Sequence, residues 1–160
     1  MTGWFGKVLL LSGCLVSSVV LADDAFLTIK GEGCCNGKGQ ISLTRAEFEA
    51  LPQSEVTTKT PWTEGSHTYR GVLLRELVKK YGLKSSEVKA MAINDYWAAV
   101  PVEDGDKYPV LVAEKQDGKP LTLRNKGPLW IIYPLSDYPD LNKELYHSRM
   151  VWQLIGLESK

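Results

Sequence analysis

The sequence predicts an α+β fold: a mixed β-sheet in a partly open sandwich or barrel with short helices. Short alternating or β-branched stretches recur along the chain, brief helical patterns separate them, and no Pro-, Gly- or Ser-rich linker divides them. The chain has 160 residues, of which 44% are hydrophobic, and no repeat at solenoid periods. These observations indicate one globular domain rather than a disordered or repeat protein.

The elements predicted for the first half follow from local patterns. A Ser/Thr cap followed by Glu47 begins a short helix, Pro52 ends it, and Gly82 is a C-cap for a second helix with apolar residues on one face. In order, the predicted elements are a strand at 25–30, a glycine loop at 31–39, a helix at 45–51, a strand at 55–59, a turn at 60–65, a strand at 66–70 and a helix at 72–81.

The second half is predicted to contain more strands. The apolar run 129–133 indicates a buried central strand, and Asp117-Gly118 indicates a hairpin turn. The other predicted elements are strands at 87–93 and 96–102 around Asn94-Asp95, a strand at 110–115, a polar loop at 134–143 and a last strand at 150–157.

Residues 1–22 are predicted to be a secretory signal peptide. One basic residue, Lys7, precedes the apolar run 8–21, and Val20 and Ala22 suit the cleavage positions −3 and −1. The run is short and interrupted by Ser and Gly, which disfavours a membrane span. Cleavage after Ala22 leaves residues 23–160 as a single domain of an exported protein.

A second interpretation of the leader stays open. Leu11-Ser12-Gly13-Cys14 matches a bacterial lipobox, which would anchor the mature protein through a lipid on Cys14. It would leave apolar residues 15–21 exposed after the lipid, so we favour the signal peptide.

Cleavage after Ala22 also leaves two adjacent cysteines. Cys34 and Cys35 lie in the glycine-rich segment 31–39, which is typical of a hairpin loop. Lone thiols are uncommon in oxidising compartments, so we expect this pair to be oxidised to a vicinal disulfide. A redox centre is an alternative that we favour less than this loop. A metal site shared with His67 or His147 is disfavoured further, because adjacent cysteines rarely bind one ion and zinc-type spacing is lacking.

The charge balance and the motifs exclude several functions. Nineteen basic and 19 acidic residues give a formal net charge of zero, without the basic excess of proteins that hold nucleic acid, so we expect no nucleic-acid partner. The chain has no nucleophile elbow, P-loop or dinucleotide-binding motif. Asp104 and Asp106 are predicted to be solvated acids of a loop at 103–107, and the two histidines to be surface or structural residues.

Aromatic residues are the most informative feature. Trp130 and Trp152 lie in apolar runs and are predicted to belong to the core. Trp62 lies in a proline-containing turn among polar residues, where packing alone explains it less well. It could stack on a flat heterocycle, with Asp95 paired to the N–H edge of that ring and Arg149 to its polar tail.

Five segments resemble, in the same order, elements of the sulfite-oxidase-type molybdopterin-binding domain. Together with Ala50-Leu51-Pro52, they extend the resemblance over roughly residues 43–157. The segments are 68–77 (its F-x-G-V-x-L-x-x-L element), 92–102 (its substrate-side strand pair), 109–121 (its V-L-L-A-x-x-x-x-G-x-P-L hairpin), 126–134 (its G-x-P-x-R-x-x-x-P strand) and 149–152 (its closing strand).

One departure from that family bears on function. In the molybdenum enzymes a cysteine after the strand that corresponds to 55–59 ligates the metal, and this sequence has Thr60-Pro61-Trp62 there. Threonine and proline cannot replace a soft thiolate ligand. Basic residues that could hold the cofactor's phosphate are also sparse. A molybdopterin-dependent oxidoreductase is therefore the alternative function rather than the favoured one.

The segments T-P-W-T-x-G, N-D-Y, K-G-P-L-W-x-x-Y-P and Y-x-S-R-x-V-W-Q-L are similar to those of a small periplasmic branch of this family. That branch binds reduced pterins without molybdenum and reports them to a membrane sensor protein, typically one that controls cyclic di-GMP. The resemblance therefore implies a periplasmic ligand sensor with no metal and no catalytic residue. Its expected partners are a reduced pterin and the periplasmic domain of a sensor protein.

The resemblance also implies roles for particular residues. Trp62 would be the stacking platform and Asp95 the partner of the pterin N–H edge. The residues expected to line or close the site are Tyr96, Lys126, Tyr146, Ser148 and Arg149. Each of these five also has a structural alternative, such as an ion pair between Arg149 and Asp95. A purely structural adaptor for a membrane partner is a third function that remains open.

Overall fold

The computed structural model describes residues 24–159, and within them the chain forms two mixed or antiparallel sheets with short helices. One of the sheets is strongly curled into a half-barrel. This architecture confirms the predicted α+β class. The predicted signal peptide and lipobox lie outside the described residues. Within residues 24–159 no helix is both long enough and apolar enough to cross a bilayer.

The strands, in chain order, are β1 (Leu27–Gly31), β2 (Gln40–Leu43), β3 (Ser54–Lys59), β4 (Ser66–Leu73), β5 (Glu87–Ala92), β6 (Trp97–Pro101), β7 (Leu111–Gln116), β8 (Lys119–Pro120), β9 (Trp130–Ile132) and β10 (Leu154–Ser159). The helices are α1 (Cys34–Gly37), α2 (Arg45–Glu49), α3 (Leu74–Tyr81), α4 (Val102–Lys107) and α5 (Glu144–Arg149), with 3₁₀ turns at Leu123–Asn125 and Pro139–Leu141.

The first sheet has the order β2-β1-β10-β5-β6, in which β1 and β10 are parallel and the other pairs antiparallel. The second sheet has the order β3-β4-β7-β8, and β9 also pairs with β7. Both sheets contribute to one continuous apolar core, in which Phe48, Tyr69, Leu77, Trp130 and Tyr133 are fully buried.

Several local predictions are confirmed by the caps and turns. Thr44 caps α2 in a capping box with Glu47, and Gly82 ends α3 in the left-handed conformation. Helix α3 begins at Leu74 instead of residue 72, because Gly71, Val72 and Leu73 pair with β7. The β4 strand is longer than predicted for the same reason.

The C-terminal part differs from the prediction in three ways. Residues 102–107 and 144–149 form helices α4 and α5 that were not predicted. The last strand begins at Leu154 instead of residue 150, because residues 150–153 run beside β9. Ile131 N donates to Val151 O (3.0 Å) and Leu154 N donates to Leu129 O (2.9 Å). Strand β9 is buried as predicted. It is flanked on one side by residues 150–153 rather than by a second long strand.

The predicted hairpin around the cysteines is confirmed, but the predicted disulfide is not. Strands β1 and β2 pair antiparallel across the loop, and Cys34 and Cys35 are buried free thiols. Cys35 Sγ donates to Ile29 O at 3.8 Å. Burial, reinforced by the hydrogen bond and the charge of Cys34, raises the pKa of the Cys35 thiol to about 12. The Cys35 thiol is therefore protonated, and both cysteines are enclosed in the core rather than exposed as a reactive centre.

Candidate functional site

A cleft of about 310 Å³ lies between the β3–β4 turn, the β5–β6 turn and the segment from α5 to Trp152. Its volume is at the lower end of the range of about 300–1,000 Å³ that ligand pockets occupy, so it suits a compact ligand. The cleft is lined by Trp62, Ala92, Asn94, Tyr96, Glu144, His147, Ser148, Met150, Val151 and Trp152.

Trp62 forms one wall of this cleft. The turn that carries it is tied by a hydrogen bond between the Thr60 and Thr63 hydroxyls (2.7 Å), and Trp62 N donates to Thr60 Oγ1 (3.3 Å). The Trp62 ring meets Trp152 edge to face at 5.0 Å between centroids and His147 at 6.0 Å. With 36% of its surface exposed, the indole is fixed by its neighbours and still accessible to a ligand.

Polar groups also line the cleft. Tyr96 Oη donates to Ser148 O (2.9 Å), which joins the β5–β6 turn to α5. His147 Nε2 donates to Asn142 Oδ1 (2.9 Å), which orients the imidazole. The Glu144 carboxylate, on the first turn of α5, is the anionic group among the lining residues. The cleft thus combines aromatic walls with hydrogen-bonding groups and one carboxylate.

Of the seven residues predicted for the site, three line the cleft: Trp62, Tyr96 and Ser148. Asp95 lies in the β5–β6 turn with a φ of 65°, and its side chain is exposed. Its two chain neighbours, Asn94 and Tyr96, line the cleft, whereas Asp95 does not. The half-buried Lys126 is not a lining residue, and its Nζ lies 5.5 Å from the ring centroids of both Trp130 and Trp152.

The other two predicted residues, Tyr146 and Arg149, are not among the lining residues either. The Tyr146 ring lies against Tyr133 at 5.7 Å between centroids, and the Arg149 guanidinium lies over Tyr146 at 5.2 Å. Arg149 Nη1 donates to Asp104 Oδ2 at 2.8 Å. The predicted alternative of an ion pair between Arg149 and Asp95 is therefore wrong, because Arg149 pairs with Asp104 instead.

Asp104 corrects a second prediction. It is buried in α4 rather than solvated in a loop, and its Oδ2 accepts hydrogen bonds from both Tyr133 Oη (2.7 Å) and Arg149 Nη1 (2.8 Å). Burial and the hydrogen bond to Asp104 hold the pKa of the Tyr133 phenol above its usual range, so the phenol remains a donor. Asp104 is shielded from solvent because residues 102–107 form helix α4, which packs against α3, instead of extending β6.

The sequence analysis missed seven of the ten lining residues, and four of the seven have polar or aromatic side chains: Asn94, Glu144, His147 and Trp152. Trp130 is fully buried as predicted, but Trp152 is half-buried and contributes to both the core and the cleft. Asn94 precedes the predicted Asp95 and could have been found from the same turn. Glu144 and His147 had no signal, because no pattern in the sequence indicated α5.

His67 joins the turn that carries Trp62 to the β7–β8 hairpin. Its Nδ1 lies 2.6 Å from Asp117 Oδ2, and its Nε2 lies 2.8 Å from Glu64 O. Both partners are acceptors, so both ring nitrogens donate and the ring is an imidazolium in this arrangement. The hydrogen bond to Asp117 raises the pKa of His67, and the same contact lowers the pKa of Asp117.

The structure is a small α+β domain with an aromatic-walled cleft. The family model of the oxidoreductase molybdopterin binding domain matches residues 22–136, which is more than half of the chain, and the chain belongs to that family. Strands β1 to β9, the Trp62 turn and the β5–β6 turn lie inside the matched region, whereas α5 and Trp152 follow it. No curated protein matches the sequence.

The described lining lacks two kinds of group that a complete molybdenum cofactor would use, a thiolate and a cation. The sequence resemblance implies a thiolate ligand for molybdenum, whereas the described lining offers a carboxylate, an imidazole, an amide and hydroxyl groups. Cys34 and Cys35 are buried in the β1–β2 loop. No Lys or Arg is among the described lining residues to hold a phosphate. Within residues 24–159 no cluster of three His, Cys, Asp or Glu side chains could hold a metal ion.

Proposed function

We propose that this protein binds a reduced pterin without molybdenum and reports it, in the periplasm, to the periplasmic domain of a membrane sensor protein, such as one that controls cyclic di-GMP. Membership of the molybdopterin-binding family supports a pterin-type ligand. The observation that carries the proposal is the cleft itself. Accessible Trp62 lies beside Trp152, polar groups complete the wall, and the described lining has no thiolate and no Lys or Arg.

The recognition chemistry follows from these side chains. The pterin ring stacks on the Trp62 indole. This contact is apolar and does not by itself distinguish a pterin from other flat rings. The 2-amino and N3–H groups of a pterin are parallel donors, and a carboxylate accepts such a pair through its two oxygens. Glu144 takes this role in our proposal, because it lines the cleft, and Asn94 and Ser148 supply further polar partners.

The test is a tryptophan-fluorescence titration with dihydroneopterin. The wild type should show saturable quenching. Stacking one base on an aromatic side chain is worth about 1–3 kcal/mol, so Trp62→Ala should weaken binding about 5- to 150-fold. Trp97→Ala is the matched control, because Trp97 is also exposed but lies on β6 outside the cleft lining. Its affinity should stay within about twofold of the wild type.

Two results would contradict the proposal. One is the absence of saturation by the wild type across a panel of reduced and oxidised pterins and folates. The other is an unchanged affinity in Trp62→Ala. The signalling step has its own test: the sensor's periplasmic domain should bind this protein more tightly when dihydroneopterin is present. Equal binding with and without the ligand would instead favour the structural adaptor.

A molybdopterin-dependent oxidoreductase is the second candidate function, and family membership is the observation that favours it. Protein produced in a host that makes the molybdenum cofactor distinguishes the two. Molybdenum at close to one atom per chain would support the oxidoreductase. Its absence, together with pterin binding, would support the sensor.

A further inference from the structure

A largely buried cluster joins three elements behind the cleft. Asp104 of α4 accepts from Tyr133, just after β9, and from Arg149, the last residue of α5. The side chains of Arg149 and Asp104 are only 16% and 11% exposed. This ion pair is therefore largely removed from water, and the loss of one partner leaves a poorly solvated charge.

Few contacts besides the Arg149–Asp104 pair hold helix α5 in place. It has six residues, none of them buried, and no side-chain cap at its N-terminus. Isolated helices of this length are not stable in water, so tertiary contacts must fix its position. Those contacts include the Arg149–Asp104 pair, the Tyr146–Tyr133 and His147–Trp62 ring contacts and the hydrogen bond from Tyr96 to Ser148 O.

The same helix carries much of the cleft lining. Glu144, His147 and Ser148 all belong to α5 and all line the cleft. A rotation or shift of α5 would move these three side chains together relative to Trp62. The anchor at Arg149 and the wall at Glu144 lie at opposite ends of the helix, so loosening one end changes the angle of the other.

We propose that Arg149 and Asp104 are positioning residues: their ion pair holds α5 so that Glu144, His147 and Ser148 face Trp62, and neither side chain contacts the ligand. The ligand-binding part of this proposal rests on the proposed pterin-binding function. The family resemblance implied a direct role for Arg149, and the contact with Asp104 assigns it an indirect one.

Four variants test the proposal by dihydroneopterin titration. Asp104→Asn and Arg149→Met remove one charge each and keep most of the side-chain volume. Each should weaken binding about 2- to 30-fold, the range for residues that act on a site without touching its ligand. The affinity of the double variant should match, within about twofold, that of the single variant that binds dihydroneopterin less tightly, because the two residues act as one unit. Arg149→Lys should retain most of the affinity.

Glu103→Gln is the matched control, because Glu103 belongs to the same helix α4 but forms an exposed pair with Lys107. Its affinity should equal that of the wild type. If Arg149→Met weakens binding while Asp104→Asn does not, Arg149 contacts the ligand and the proposal is wrong. It is also wrong if neither variant changes the affinity.

A ligand-free measurement separates this proposal from the proposed function. The amides of His147 and Met150 are hydrogen bonded within α5, to Lys143 O (3.0 Å) and His147 O (3.1 Å). Their hydrogen exchange in the unliganded protein should accelerate at least about tenfold in Asp104→Asn and Arg149→Met, as expected for the loss of a charge-assisted hydrogen bond, and not in Glu103→Gln. Unchanged exchange overturns the positioning role, whereas a wild type that binds no pterin overturns only the proposed function.

Discussion

Two carboxylates could serve the N–H edge of a ligand in the cleft, and they differ in position. Asp95 is exposed in the β5–β6 turn, while Glu144 lines the cleft from α5. The sequence could indicate Asp95, because it lies in a turn beside Tyr96. It could not indicate Glu144, whose place depends on a helix held by tertiary contacts.

The two carboxylates lead to a prediction at the level of single residues. Glu144→Gln should weaken dihydroneopterin binding about 10- to 150-fold, because hydrogen bonds to a charged group are worth about 1.5–3 kcal/mol. Asp95→Asn should change the affinity by no more than about threefold. Fluorescence titration measures both, and a larger loss in Asp95→Asn than in Glu144→Gln would assign the ligand's N–H edge to the turn instead.

His67 supplies a prediction about pH. Its pKa in the folded protein is raised, mainly by the hydrogen bond to Asp117, above the value of about 6.5 in unfolded chains. The contribution of protonated His67 to the stability of the fold is therefore fully present below about pH 6.5. It is lost as the pH rises through the folded-state pKa. The groups that face this imidazolium are Asp117, with Lys119 beside it, Glu64 O and the Tyr69 ring.

The measurement is chemical unfolding at a series of pH values. The wild type should lose stability between pH 6.5 and the folded-state pKa of His67, which NMR titration of the imidazole gives directly. His67→Gln should lack this loss, since its amide does not titrate. A wild-type profile with the same shape as that of His67→Gln would show that the bridge contributes no pH-dependent stability.

At the level of elements, the β4–β7 pairing explains why α3 begins late. Arg70 pairs with Lys115 and Gly71 with Ala113, so Glu114 is an extra residue on β7, as in a β-bulge. Gly71 allows the close approach of the two strands there. A Cβ at this position would lie 2.7 Å from Ala113 Cα and nearer still to Val112 O.

Gly71→Ala should therefore destabilise the protein by about 1–3 kcal/mol, because the added methyl group overpacks two paired backbones. Urea unfolding measures this as a lower midpoint with an unchanged slope. Gly105→Ala is the control: its Cβ would have no neighbour nearer than 3.4 Å, and alanine favours helix α4. Equal midpoints for Gly71→Ala and the wild type would contradict this account of the bulge.

Elements with a local signal could be predicted, and those without one could not. The capping box of α2 and the apolar face of α3 are encoded in adjacent residues. Helix α5 has no buried residue and therefore lacks the periodic apolar face that indicates a helix. Helix α4 contains Gly105, a residue that disfavours helices. Both are held by contacts with distant parts of the chain, which no local pattern records.

At the scale of the whole molecule, the cleft draws on both sheets. Trp62 comes from a turn of the second sheet, the β5–β6 turn from the first, and α5 from the connection that leads to β10. The sequence could predict the fold class and Trp62, because strand periodicity and an unusual tryptophan are visible in one dimension. It could not predict that Trp62 meets Trp152, 90 residues further along, or that Arg149 pairs with Asp104.

The central claim is that the cleft holds a pterin and no molybdenum. The most direct measurement is mass spectrometry of the ligand released by heat from the purified protein, with metal analysis of the same sample. We expect a reduced pterin that lacks the phosphate and the dithiolene sulfurs of molybdopterin, and no molybdenum. Molybdopterin accompanied by stoichiometric molybdenum would contradict the account.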